Sequence, residues 1–200
     1  MADTLKRVVD QLTRPGAARL GLVLAAVIFV FDQLTKYLVL DRLNFSPPGC
    51  LEFQLASPAE RMGMANNCGH IELSPVFDLT MVWNKGVSFG LLGADNLIGR
   101  IGLIIFSLAV SGLLLAGLFG YGPMKVIRPL QAVSFGCIIG GALGNVIDRA
   151  VYGAVVDFFN FSDVYFPWVF NIADVSINVG VGILILDMVL GERDGAKSKP

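Results

Sequence analysis

The chain has 200 residues, 54% of them hydrophobic and 16% charged, with a net charge of −1 and a mean hydropathy of +0.68. A water-soluble domain of this length carries more surface charge, so the composition indicates a small polytopic membrane protein with one bundle, residues 1–200, as its only domain. Nothing in the charge balance suggests nucleic acid as a partner. Walker, Rossmann, HExxH and paired CxxC patterns are absent. One histidine, His70, and three separated cysteines argue against a zinc site built by the chain.

Four segments are candidates to span a bilayer, at about residues 20–40, 101–121, 129–147 and 172–190. Each approaches the roughly 20 residues that a hydrocarbon core of about 30 Å requires. The first follows Lys6, Arg7, Arg14 and Arg19, as a signal peptide would. Its apolar stretch is long, however, it contains Asp32 and Lys36, and no small-x-small cleavage site follows, so it reads as a retained span. Asp32 and Lys36 are four apart and share a helical face in the outer half of this span. They can be a structural ion pair that positions the helix end, or they can support a site at the outer face; spacing leaves both readings open.

The loop of residues 41–100 has two parts. Asn44 to Ser74 is rich in Pro, Gly, Asn and Ser and reads as an irregular excursion over the outer surface. It carries Cys50 and Cys68, which on the oxidising side can be bridged or can remain two free thiols. Pro75 to Leu92, "PVFDLTMVWNKGVSFGLL", favours extended structure with a turn at "NKG", so a short hairpin or curved sheet on the membrane surface is expected.

The second span carries no charge. The third holds Gly136, Gly140 and Gly144, whose spacing of four puts them on one face where another helix can approach closely. Asn145 near its end needs partners if buried. By spacing alone, Asp148 and Arg149 can simply mark the interface, with the arginine reaching to headgroups. The tail "GERDGAKSKP" is polar and is expected to be disordered.

Asp157 follows the third span and Asp174 opens the fourth. Alone, Asp157 could be a solvated turn residue and Asp174 a helix cap. Two carboxylates at one membrane depth can instead share a proton and hold a water, one acting as base and the other as acid. That arrangement hydrolyses a peptide bond without metal, serine or cysteine. Asp163, in "NFSDVYFP", has no apolar span against it and reads as an ordinary loop acid.

Lysine and arginine placement sets the orientation. The N-terminal tail, the loop with Lys125 and Arg128, and the tail with Arg193, Lys197 and Lys199 read as cytoplasmic. The 41–100 and 148–171 loops then lie together on the outer face.

The stretches "FDQLTKYLV", "VWNKGVSFGLL", "GGALGNVIDRAVYGAVVDFF" and "FNIADVSI" resemble the sequence blocks of lipoprotein signal peptidase, the bacterial signal peptidase II, across all four spans in order. The resemblance implies a four-transmembrane-helix bundle, all-α apart from a small β-like cradle on the outer face. It implies an aspartic protease of the bacterial inner membrane, without a cofactor, that cuts prolipoproteins before a diacylglyceryl-modified cysteine. It makes Asp157 and Asp174 the catalytic pair and Asn145, Arg149, Asn171 and Ala173 the shell around it. It makes Asp32, Lys36 and Asn84 further polar positions of the family, and residues 75–92 the cradle that receives the substrate. The implied partners are lipidated prolipoproteins and membrane lipids, met by a monomer. The Asn44–Ser74 stretch is longer than its equivalent in most relatives.

A small transporter or channel is the competing class. It requires acids spread through the membrane depth to form a path, whereas Asp32, Asp148, Asp157 and Asp174 gather at one face and only Asp187 lies near the other. A non-catalytic scaffold leaves Asp157 and Asp174 unused.

Overall fold

The computed structural model describes residues 16–57, 59–62, 64–86, 97–121 and 129–197. In chain order, α1 (Ala17–Tyr37) continues into a π-helical turn (Leu38–Arg42). It is followed by a short α2 (Cys50–Leu55), strands β1 (His70–Ser74) and β2 (Phe77–Asn84), and helices α3 (Leu97–Leu118) and α4 (Pro129–Val151). Next come β3 (Val155–Phe161), a 3-10 turn (Ser162–Val164), β4 (Phe166–Phe170) and α5 (Ile172–Lys197). Four segments are long and apolar enough to cross a membrane: Ala17–Arg42, Leu97–Leu118, Pro129–Val151 and Ile172–Val189.

These bounds correct the sequence reading in two places that matter. The third span runs to Val151 rather than residue 147, so Asp148 and Arg149 join Asn145 inside helix α4. The polar tail is not irregular, since α5 continues to Lys197. Glu, Arg, Ala and Lys are good helix formers, and extending an existing helix needs no new nucleus.

The chain folds as two compact units. One comprises the chain through Val30, Ser107–Gly144 and the chain from Ala173 onward; the other comprises Phe31–Phe106 and Asn145–Ile172. In the first unit the glycine stripe does what its spacing suggests. A Cβ on Gly136 would stand 2.5 Å from the Gly21 carbonyl oxygen, and one on Gly140 would stand 2.6 Å from that of Ala25. One step of four on α4 thus meets one step of four on α1 at backbone contact, a distance only glycine on α4 permits. Around this seam Ala25, Leu114, Leu118, Phe135, Ile138 and Ile139 form a buried cluster. The Ser134 hydroxyl donates to the Gly180 carbonyl at 2.7 Å, and Gln131 Nε2 donates to the buried Asp187 at 2.9 Å.

The second unit is built on a four-stranded antiparallel sheet of order β1-β2-β3-β4. Met81, Trp83, Val156 and Phe158 form its buried core with Val39, Phe45 and Cys50. Between Leu79 and Val82 the register with β3 shifts, so Leu79 faces Phe159 while Val82 faces Asp157. On β3 and β4 the rings of Phe159, Phe161 and Phe170 lie within 6 Å of one another, centroid to centroid, in two of their three pairings.

The sheet bears out the extended reading of residues 75–92 and corrects the irregular reading of 44–74. Residues 75–92 do not close a hairpin on themselves among the described residues. Their strand β2 pairs instead with β1, from the stretch read as irregular, and with β3, from the loop after the third span. Residues 87–92 lie outside the described residues. The 44–74 excursion holds the helix α2 and the strand β1. Pairing of this kind joins segments about 75 residues apart, and local propensity carries no sign of it.

Candidate active site

The site grows from a lysine. Asp32 and Lys36 lie one turn apart on α1, and Lys36 Nζ stands 2.8 Å from Asp32 Oδ2. The same ammonium is 2.7 Å from Asp148 Oδ2 and donates to Asn145 Oδ1 at 3.1 Å. An ammonium has three N–H donors and no acceptor, so these three oxygens account for all of them. The site is dry: Lys36 is 3% exposed, Asp32 0% and Asp148 1%. A charge cluster this buried holds only because every member is paired.

Asn145 passes the network on. Its Oδ1 also accepts from Asn171 Nδ2 at 3.2 Å. Asn171 is fully buried in the single residue between β4 and α5. Its Nδ2 further donates to the Val156 carbonyl at 3.1 Å and to Asp157 Oδ1 at 2.7 Å. The other oxygen of Asp157 accepts from Asn84 Nδ2 at 2.9 Å. Asn84 is fixed in turn, because its own Oδ1 accepts the Gly86 N–H at 3.0 Å. Arg149 Nη2 donates to the Gly86 carbonyl at 2.9 Å, and Arg149 Nη1 to the Asn145 carbonyl at 3.4 Å. A continuous polar path therefore runs from Asp32 through Lys36, Asn145 and Asn171 to Asp157 and Asn84.

Asp157 is 1% exposed and lies in the middle of β3. This corrects its reading as a loop or turn residue. A strand rather than a loop carries the carboxylate, and two amides from β2 and from the β4–α5 junction orient it. Asp174 is the third residue of α5 and is half-buried. There the unbonded N–H groups of a helix start favour negative charge. The Asp174 carbonyl accepts from Asn178 Nδ2 at 2.9 Å. Ala173 beside it is fully buried. Asp163 is exposed in the 3-10 turn, as a loop acid should be.

Sequence reasoning passed over Asp148 and Gln33. Asp148 is no interface marker. Its Oδ2 takes both the Lys36 ammonium and the Val156 N–H, at 3.2 Å for the latter, and its Oδ1 accepts from Gln33 Nε2 at 3.2 Å. It thus ties the end of α4 to the start of β3 beside Asp157. The available signal was the spacing of three between Asn145 and Asp148, which puts both on one face of a helix. The bland reading of Arg149 fails too, because its head is buried against backbone carbonyls rather than reaching to headgroups. The sulfurs of Cys50 and Cys68 stand at bonding distance, 2.16 Å, with Cα atoms 4.9 Å apart.

Four candidate spans and a buried carboxylate aligned by amides describe a polytopic membrane protein with a polar site built round an acid. The family model of signal peptidase (SPase) II matches residues 24–190. The lipoprotein signal peptidase of Caulobacter vibrioides is 44% identical over 92% of this chain and 93% of its own length. That of Symbiobacterium thermophilum is 41% identical over 88% and 98%, and that of Haemophilus influenzae 35% identical over 88% and 89%. A solved bacterial membrane enzyme structure shares the fold with a TM-score of 0.63, at 24% identity, over 90% of this chain and 91% of that one. The chain belongs to the signal peptidase II family, aspartic-type peptidases that cleave signal peptides from prolipoproteins.

Proposed function

We propose that Asp157 and Asp174 are the catalytic pair of this peptidase, and that the bond cut is the one before the diacylglyceryl-modified cysteine of a prolipoprotein. The observation that carries the assignment is the grip on Asp157: both its oxygens accept amide N–H groups, from Asn171 and Asn84. A carboxylate so oriented is prepared for proton transfer in one direction rather than for structural pairing. Asp174 follows Asn171 by three residues in the first turn of α5, so the amide that orients one acid belongs to the segment that starts the helix of the other.

The chemistry needs one ionised and one protonated carboxyl group. The ionised one takes a proton from a water, whose oxygen bonds to the scissile carbonyl carbon. The protonated one donates to the carbonyl oxygen as charge develops there. Collapse of the tetrahedral intermediate returns that proton and breaks the C–N bond, and the leaving amine takes up a proton from the pair. Asn84, Asn145, Asn171 and Ala173 hold the pair's surroundings. Lys36, with Asp32, neutralises the buried charge behind them, and Arg149 fixes the Gly86 backbone on which Asn84 rests.

The lysine and arginine distribution puts both termini in the cytoplasm and the pair at the outer face of the inner membrane. Lipid chains of the substrate then remain in the bilayer while the peptide reaches the acids. The chain works as a single peptidase domain and as a monomer; the family match runs from residue 24 to 190, across both compact units.

The test is incubation of the purified protein with a diacylglyceryl-modified prolipoprotein and with its unmodified form. Release of the signal peptide from the modified form alone is expected. Equal cleavage of both would overturn the assignment of the lipidated cysteine.

A further inference from the structure

The contacts of the stretch between Asn44 and Ser74 converge on one place. From β2, the strand that ends on Asn84, the Met81 carbonyl and the Trp83 N–H are both taken by Gln54. Its Nε2 donates to the Met81 carbonyl at 2.8 Å, and its Oε1 accepts the Trp83 N–H at 2.7 Å. The side chain of Gln54 thus pairs with β2 as a neighbouring strand would. On that side the backbone pairing of β2 ends where the Gly69 carbonyl, just before β1, accepts the Met81 N–H at 2.9 Å. On the far side of Asn84, the Lys85 ammonium donates to the Leu55 carbonyl. The last turn of α2 therefore clasps β2 on both sides of the residue that orients Asp157.

The clasp is itself anchored. Cys50, at the start of α2, is fully buried and bonded to Cys68. Phe45 is buried beside it, and its carbonyl accepts the Gly69 N–H at 2.8 Å. The Arg61 guanidinium closes over the helix end, donating to the Gln54 and Ala56 carbonyls at 2.8 and 3.1 Å.

We infer that Gln54 is a positioning residue for catalysis, acting through β2 and Asn84 on Asp157, and that the 44–74 segment is the brace that holds it. The inference rests on the assignment of Asp157 to the catalytic pair. Gln54 need not touch substrate, so its loss falls on turnover rather than on binding.

The experiment compares Gln54→Ala, Gln54→Glu and Asp157→Asn with the wild-type protein in detergent. For Gln54→Ala, kcat is expected to fall about tenfold, with KM within about twofold. Gln54→Glu has the same shape. When ionised it can accept from Trp83 but sets a carboxylate oxygen against the Met81 carbonyl; when protonated it regains a donor. Its activity relative to wild type at each pH should therefore rise as pH falls. A purely structural loss would lower the melting temperature of both variants without that recovery. A folded Gln54→Ala protein with wild-type kcat would overturn the inference, as would a Gln54→Glu ratio that is flat with pH. Should Gln54→Ala fail to fold, the Gln54→Glu ratio decides alone. An active Asp157→Asn protein would instead remove the assignment beneath it, so the two failures are distinct.

Discussion

Asn171 Nδ2 stands 2.7 Å from Asp157 Oδ1, and the same side chain occupies the one residue that separates β4 from α5. The acid on the sheet is thus oriented from the junction that follows β4. Asn145 and Lys36 stand behind that amide, so orientation of the carboxylate and neutralisation of the buried charge belong to one network. Each member can be tested by the loss it causes.

Replacing Asp157 or Asp174 by asparagine keeps shape and removes the proton-transfer role proposed for each. Each single change should lower cleavage by roughly 10²–10⁴-fold. The double variant should be no worse than the poorer single one, because in the proposed mechanism the two acids act as a unit. Asp163→Asn should cleave at the wild-type rate. Initial rates on lipidated substrate, with binding measured separately, check all four; near-normal cleavage by Asp157→Asn would overturn the mechanism.

Lys36→Met should destabilise the protein by about 3–5 kcal/mol, because two buried carboxylates lose the ammonium they share. Asp32→Asn should cost clearly less, since it leaves Lys36 paired one-to-one with Asp148. Thermal unfolding of both variants in the same detergent gives the order, and the reverse order would show that Asp32 is the principal partner.

Alkylation in denaturant without reductant should leave Cys50 and Cys68 unlabelled, with both labelled after reduction. A bridge closing 18 residues contributes about 3 kcal/mol in the loop-entropy picture. Cys68→Ser should therefore lower the unfolding temperature. Labelling of both cysteines before reduction would show two free thiols instead.

Gly140→Val should disrupt the seam between α1 and α4, because its Cβ would meet the Ala25 carbonyl at 2.6 Å. Overpacking of this kind costs about 1–3 kcal/mol. Gly102→Val on α3 is a control, since a Cβ there meets nothing within 4 Å. Similar losses at both positions would mean that helix propensity, not the seam, sets the cost.

Nine of the fifteen lysines and arginines lie in the segments assigned to the cytoplasm. A reporter that works only outside the cytoplasm, fused after Pro200, should stay silent. An active reporter would reverse the map and put the acids on the other face.

The sequence by itself determined the spans, because a bilayer core demands some twenty apolar residues in a row and little else produces such runs. It determined the glycine seam as well, since a helix period places Gly136 and Gly140 on one face whatever lies opposite. Asp157 and Asp174 stood out because a carboxylate beside a span is costly and is seldom kept without a use. Only the tertiary structure decided that Asp157 sits on a strand. One partner of that strand, β2, comes from a distant loop, and hydrogen bonds between backbones leave no mark on composition. The same holds for Asp148, whose spacing from Asn145 marks a shared helix face but not what that face meets. Its burial follows from meeting Lys36 of another helix, and for a charge in a dry site the partner across the fold decides whether it is tolerated. Gln54 is the extreme case. It is a polar residue in an irregular-looking stretch, and it gains its place from one gap in the pairing of β2.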